Sequence, residues 1–215
     1  MGVQAPKELS NLEELQTLET VVSSIDLAEQ LKKLMQLRSV LLLSARDEKE
    51  TLCFQAFQPR IIRGQWAMGT LNCPIFLSHG KYLKYVALSW CDLVEDPLGM
   101  LAPHMPNLAY LSLNRIGMLV GNTLVLSAGS FPNLKTLVLK HMHDVSELKI
   151  IDGALPCIDG LYIVSLSKLD KVPQGIESLR SLKKLWLLNL HKDFRTQWDT
   201  EGMHQKIQHV SEVRV

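Results

Sequence analysis

Residues 83–93 read LKYVALSWCDL, the pattern L-x-x-L-x-L-x-x-C-x-L with Val86 in place of one leucine. The core triplet L-x-x-L-x-L returns at Leu108/Leu111/Leu113, Leu134/Leu137/Leu139, Ile158/Leu161/Ile163 and Leu182/Leu185/Leu187. Toward the N-terminus it recurs as Leu37/Val40/Leu42 and more weakly as Leu15/Leu18/Thr20, with a degenerate copy read at Phe57/Arg60/Ile62. The first positions, 15, 37, 57, 83, 108, 134, 158 and 182, are separated by 20 to 26 residues, within the range of leucine-rich repeats. A second column stands three residues before each of them: Leu12, Leu34, Phe54, Gly80, Met105, Phe131, Leu155 and Leu179, all apolar except Gly80. The phrases MPNL (105–108), FPNL (131–134) and LPCI (155–158) place a proline at one phase.

The spacing dictates the architecture. In an extended stretch side chains alternate, so the second and third apolar positions of a triplet point to one face and their neighbours to the other. One repeat cannot bury that apolar face alone; stacking on neighbours gives a continuous core and a parallel sheet. The return half of each repeat is wider than a strand, so the sheet curves. The expected fold is an α/β leucine-rich-repeat solenoid, a curved horseshoe with a parallel β-sheet on its concave face. Short helices and irregular turns are expected on the convex face, at Leu27 to Leu34 and Ile176 to Leu182, with Pro173 and Gly175 marking a turn before the latter.

Residues 1–190 are read as an array of about eight repeats, irregular at 44–80, where a charged run (Arg46 to Glu50) falls and Arg60 takes a position that should be buried. Residues 191–215 carry no triplet and are read as a terminal cap, with Ile207, Val210, Val213 and Val215 able to add a last short strand. No comparable cap precedes the first triplet, so the expectation is a piece of a longer solenoid with an open strand edge.

Composition narrows the function. The 215 residues are 47% hydrophobic and carry 23 Lys+Arg against 22 Asp+Glu, a net charge of +1. That is too apolar and too evenly charged for a disordered chain. It also removes the cationic excess that nucleic acid or an anionic membrane surface demands. The longest aliphatic run, Val40 to Leu43, falls far short of the roughly 20 residues that span a bilayer, and no secretory segment is visible at the start. Cys53, Cys73, Cys91 and Cys157 are widely spaced, and no asparagine opens a glycosylation site. These features point to a reducing, cytoplasmic setting.

The familiar catalytic patterns are absent from the sequence. The sequence contains no phosphate-cradling G-x-x-x-x-G-K-[ST], no G-x-G-x-x-G, no G-x-S-x-G and no H-E-x-x-H. His141 and His143 would share a face if extended, but the adjacent Asp144 would point to the other, leaving two convergent ligands. Cys91 occupies the small-polar position of its repeat, which favours packing over reactivity. The expectation is therefore a non-enzyme with no cofactor, no metal and no small-molecule substrate.

What remains is surface. Positions two, four and six after each first leucine face outward on the strand side and include Tyr85, Tyr110, Tyr162, Trp186, Lys140 and Lys184; Trp90, Arg115 and His141 lie one step further along. Exposed aromatic and Arg side chains are the usual material of protein-binding hot spots. The competing reading is lateral packing of aromatics along the ladder.

Several stretches resemble a known family: LEELQTLETVVSS (12–24), LKKLMQLRSVLLL (31–43), LSWCDLVEDPLGML (88–101), FPNLKTLVLKHMHDVSELKIIDGALPCIDGL (131–161) and LDKVPQGIESLRSLKKL (169–185). They are similar to the C-terminal repeats of plant coiled-coil, nucleotide-binding, leucine-rich-repeat (NB-LRR) disease-resistance proteins, most like cereal-type members, with this chain a truncated member or the C-terminal portion of one. The resemblance implies a role in innate immunity, with the repeats sensing a pathogen effector or a guarded host protein, or holding the receptor's switch domain inactive. The nucleotide switch and coiled coil of that family lie upstream of its repeats and are missing from this sequence, so nucleotide exchange and autonomous signalling do not carry over. The alternative is a generic adaptor, such as the substrate-binding module of a ubiquitin ligase.

Overall fold

The computed structural model describes residues 3–4, 6–15, 17–22, 39–43, 61–65, 80–93, 96–118 and 120–215, the side chains of 3–4, 17–22, 39–43, 61–65, 82 and 90–93 excepted. Its strands are β1 (Val3–Gln4), β2 (Thr17–Val22), β3 (Ser39–Leu43), β4 (Ile61–Gln65), β5 (Tyr85–Leu93), β6 (Tyr110–Met118), β7 (Thr123–Leu126), β8 (Thr136–Lys140), β9 (Glu147–Ile150), β10 (Gly160–Val164), β11 (Lys184–Leu188) and β12 (Glu212–Arg214). Ten of them form one sheet in the order β1-β2-β3-β4-β5-β6-β8-β10-β11-β12. Every neighbouring pair is parallel. Among the described residues the α-helices are α1 (Pro97–Leu101), α2 (Phe194–Thr200) and α3 (Met203–Lys206).

The triplet columns become physical rungs. Val86 stands opposite Leu111, Leu111 opposite Leu137, Leu137 opposite Leu161 and Leu161 opposite Leu185. All five are fully buried, as are Leu88, Leu113, Leu139 and Ile163 of the next column. Burying each such side chain is worth about 1.5–3 kcal/mol, which no coil obtains without its neighbours. The fold is a leucine-rich-repeat solenoid.

The second column closes a turn. The backbone N–H of each first position donates to the carbonyl three residues back: Leu83 to Gly80, Leu108 to Met105, Leu134 to Phe131, Ile158 to Leu155 and Leu182 to Leu179, at 3.0–3.2 Å. Gly80 breaks the apolar column for a steric reason: a Cβ there would run into the His104 carbonyl of the next coil. The Pro-Asn-Leu phrase has its own reason. The Asn107 Nδ2 donates to the Lys81 carbonyl (2.8 Å) and the Asn133 Nδ2 to the Pro106 carbonyl (2.9 Å), each reaching back to the preceding coil. Ser181, at the same phase as these asparagines, donates instead to the Ile158 carbonyl (2.9 Å), two residues further along the preceding coil, and Cys157, a free thiol, occupies this phase in the coil between.

Three registers differ from the sequence reading. In β4, Ile62 stands opposite both Val40 and Val86, with Gly64 opposite Leu42 and Leu88. The copy read at Phe57/Arg60/Ile62 is therefore two residues out of phase. Phe57 and Arg60 lie outside the described residues, as do Leu27 to Leu34 and most of 44–80. In β2 the register shifts between Leu18 and Val21, so Val21 rather than Thr20 meets Leu42. The C-terminal segment does carry a triplet: Val213 stands opposite Leu185, making Val210/Val213/Val215 the last copy. Ile207 sits in its second column, with the Val210 N–H donating to the Ile207 carbonyl at 2.9 Å.

The return side also departs from expectation. A 3-10 turn covers Ile176–Ser178 as expected, but β7 and β9 pair in a second parallel sheet, extended by a bridge between Lys149 and Gln174. Their inward residues Leu124, Leu126, Leu148 and Ile150 close the core from behind. Periodicity in four-residue strands is too short to separate them from loops. In the coil before β7 the same place is taken by α1. Asp96 caps this helix by accepting from the Leu98 N–H, and its other oxygen accepts from the Val125 N–H of β7, both at 2.9 Å. Burial raises the Asp96 pKa, against the pull of these backbone donors.

After β11 the chain folds into α2 and α3 before β12. Phe194, Trp198, Met203 and Ile207 are buried against the last coil. The Trp198 indole donates to His204 Nε2 at 3.2 Å. Among the described residues, no helix is long and apolar enough to cross a membrane.

Candidate functional site

The strand alternation that buries the leucines leaves rows of side chains on the concave face. Along one row Tyr85 is exposed (47%) and Tyr110, its direct ladder partner, is half-buried; their ring centroids lie 6.2 Å apart. Further along the array the face is more tightly knit. Tyr162 meets the edge of Trp186 in a T-shaped contact at 5.1 Å, and the Arg214 guanidinium lies over the Trp186 ring at 4.1 Å. The Trp186 indole donates to Glu212 at 3.1 Å, and Glu212 also receives Arg214 at 2.7 Å and Lys184 at 4.0 Å. The Tyr162 ring covers Gly160, whose absent side chain leaves room for it: a Cβ there would approach ring carbon Cε2 to 2.7 Å.

The expected face residues therefore fall into separate groups. Tyr85 and Tyr110 form one, and Tyr162, Trp186 and Lys184 another. Arg115 of β6 lies near Lys140 and His141 at the C-terminal end of β8, close enough to act on the His141 ring through charge. Trp90 lies in β5, and its side chain is outside the described residues. Glu212 and Arg214 also belong to the face and were missed, because the tail was read without a triplet; two and four residues after Val210 are the outward positions that would have found them. The aromatics of the second group make lateral contacts as well as facing outward. Such contacts are worth about 0.5–1.5 kcal/mol each.

The margins of the sheet differ in charge. At the N-terminal ends of the strands, Asp159 lies between Lys183 (2.9 Å) and Lys135 (4.0 Å). The hydrogen bond and charge of Lys183, with Lys135 behind it, lower the Asp159 pKa. On the other side, Arg115 within β6 and His141, Ser165 and Asn189 just past β8, β10 and β11 occupy one phase, and all four adopt positive φ of 53 to 59°. Partial burial lowers the His141 pKa, reinforced by Lys140, Arg115 and His143.

The His141 and His143 rings are 6.4 Å apart, and Asp144 is engaged with Lys168 at 3.5 Å. Among the described residues no group of three or more His, Cys, Asp or Glu is placed to hold a metal ion.

No protein-family model matches the chain. Sequence relatives include disease-resistance proteins of Arabidopsis thaliana. Probable disease resistance RPP8-like protein 2 is 26% identical over 237 aligned positions, covering 96% of this chain and 26% of the relative. Disease resistance RPP8-like protein 3 is 28% identical over 133 residues, and probable disease resistance protein RF45 is 31% identical over 135; each match covers 62% of this chain and 14% or 13% of the relative. Among solved structures, a leucine-rich-repeat protein of Leptospira interrogans covers 98% of this chain and 63% of its own at 16% identity and a TM-score of 0.40. The leucine-rich-repeat domain of the type III effector XopL covers 90% and 69%, with 18% identity and a TM-score of 0.41. The chain thus spans 13 to 26% of the length of these three relatives, which are disease-resistance proteins. The resemblance stands without its narrowing to the cereal type.

Proposed function

We propose that this chain is a protein-recognition module of plant innate immunity, working in the cytoplasm and docking a partner on its concave face. The partner is a pathogen effector, a guarded host protein or the switch domain of a nucleotide-binding receptor. The observation that carries this reading is the content of the outward rows. Tyr85, Tyr110, Tyr162, Trp186, Lys140, Lys184, Arg115 and His141 stand over a core of buried leucines that fixes their positions. Aromatic and cationic side chains on rigid strands lose little entropy when a partner covers them. The disease-resistance relatives support the immune setting.

The test uses the chain as bait for separately produced receptor switch domains and effectors, with Tyr110→Ala and Trp186→Ala as variants. Retention of one such protein, weakened at least fivefold in variants that unfold at the wild-type urea midpoint, supports the reading. Loss of solubility in both variants would assign these aromatics to holding the ladder instead.

A further inference from the structure

The helical cap after β11 contains one hydrogen bond that depends on a proton. Trp198 of α2 is fully buried, and its indole N–H donates to Nε2 of His204 on α3, 3.2 Å away. The two rings meet edge to face, with centroids 5.7 Å apart. An indole nitrogen only donates, so His204 Nε2 must present a lone pair, which makes the imidazole neutral with its hydrogen on Nδ1. The same Nε2 lies 3.7 Å from Asp199 Oδ1. A carboxylate only accepts, so it pairs with this nitrogen only when the nitrogen carries a proton. One atom stands between a donor and an acceptor and serves one of them at a time.

Few other groups act on this corner. The second Asp199 oxygen holds Arg195 at 3.4 Å, and both residues are exposed. Glu201 and Lys206 line the cleft that Asp170 and Glu177 border on its far side. His209, the next imidazole, has its Nε2 2.9 Å from the Leu179 carbonyl, a contact that protonation preserves. No charged group besides Asp199 comes within ion-pair distance of His204 among the described residues. His204 is exposed, so protons reach it from solvent, whereas the buried indole has no water to turn to.

We propose that His204 is a proton-operated latch between α2 and α3. In its neutral form it accepts from Trp198 and closes the corner. Once protonated, it donates from Nε2 to Asp199 and leaves the buried indole without an acceptor, so the corner loosens. Imidazoles pass between these forms at about pH 5 to 8. Phe194, Trp198, Met203 and Ile207 seal the end of the core from these helices, so acid slackens the seal. The device is independent of what the concave face receives.

The experiment follows the indole 1H–15N signals of the full chain by NMR from about pH 8 to pH 5, with the Trp198 signal assigned by its loss in Trp198→Phe. The Trp198 signal is expected downfield at high pH and should move upfield as pH falls, with the His204 ring carbons following the same midpoint. Asp199→Asn removes the acceptor of the protonated form and should weaken proton uptake about two- to fivefold, the range of an exposed ion pair. His204→Gln keeps a side-chain acceptor that does not titrate, and its Trp198 signal should stay in place. A wild-type signal that does not move overturns the proposal, as does one that moves equally in His204→Gln or with an unchanged midpoint in Asp199→Asn. A Trp186 indole signal moving at the same midpoint would mean general unfolding and would overturn it as well.

Discussion

Gly153 and Gly175 share one backbone conformation and differ in what surrounds them, so replacing each with alanine separates two energies. Their φ angles are 82° and 79°. Alanine in the left-handed region costs about 1–2 kcal/mol through its Cβ. Restricting the unfolded chain returns about 0.4–1 kcal/mol of that. At Gly153 nothing lies within 4 Å of the new Cβ, so Gly153→Ala should cost about 0 to 1.6 kcal/mol. At Gly175 the Cβ would collide with the Ile150 backbone carbonyl at the end of β9. Shifting that strand adds about 1–3 kcal/mol of overpacking. Urea unfolding followed by circular dichroism should place Gly175→Ala well below Gly153→Ala in midpoint. Amide exchange should show lost protection at Ile150 and Gln174, whose bonds (Ile150 N–H to Gln174, 2.8 Å; Gln174 N–H to Leu148, 3.1 Å) tie the second sheet together. Equal midpoint shifts in the two variants would refute the steric argument.

Three further outcomes are expected. Leu137→Ala opens a cavity on a fully buried rung and should lower stability by about 2–5 kcal/mol, read from urea midpoints; a loss under 1 kcal/mol would mean the coils do not pack as described. Asn133→Ala removes the side-chain hydrogen bond to the Pro106 carbonyl and should cost about 0.5–1.5 kcal/mol, checked by thermal unfolding against the wild type at the same pH; no measurable loss would mean the bond does not hold adjoining coils. Asp96 has a folded pKa raised above 3.8, so its contribution is present below that value and is lost as pH rises through the folded pKa. Unfolding midpoints between pH 3 and 6 should show the wild type losing ground to Asp96→Asn across that window, and a constant difference would exclude the linkage.

The leucine columns were legible because packing leaves them no choice: Leu111, Leu137, Leu161 and Leu185 must be apolar to fill the space between coils, and their spacing is the length of a coil. The reading failed where that constraint loosened. Gly64 fills a third position without an apolar side chain, so the triplet at Ile62 was placed two residues early. The bulge between Leu18 and Val21 changes register with no mark in the pattern. Val210/Val213/Val215 escaped because it lies 28 residues after Leu182 and uses valine throughout. On the face, alternation identified which residues point outward but said nothing of their partners. That Glu212 gathers Trp186, Lys184 and Arg214, while Lys140 makes no ion pair among the described residues, depends on which coils become neighbours.

The asparagine that reaches back from one coil to the carbonyl of the coil before has a consequence for how such a chain can change. Because Asn107 and Asn133 present the same donor to the same phase, adjoining turns of the solenoid are nearly interchangeable at their seams. A gene that lost or duplicated one whole turn would still close its ladder with the same bond. Everything downstream would move by a single strand spacing, about 4.8 Å, bringing Trp186 nearer to Tyr110 or carrying it away. Altered reach across the face is therefore open to unequal recombination without any new core having to be found.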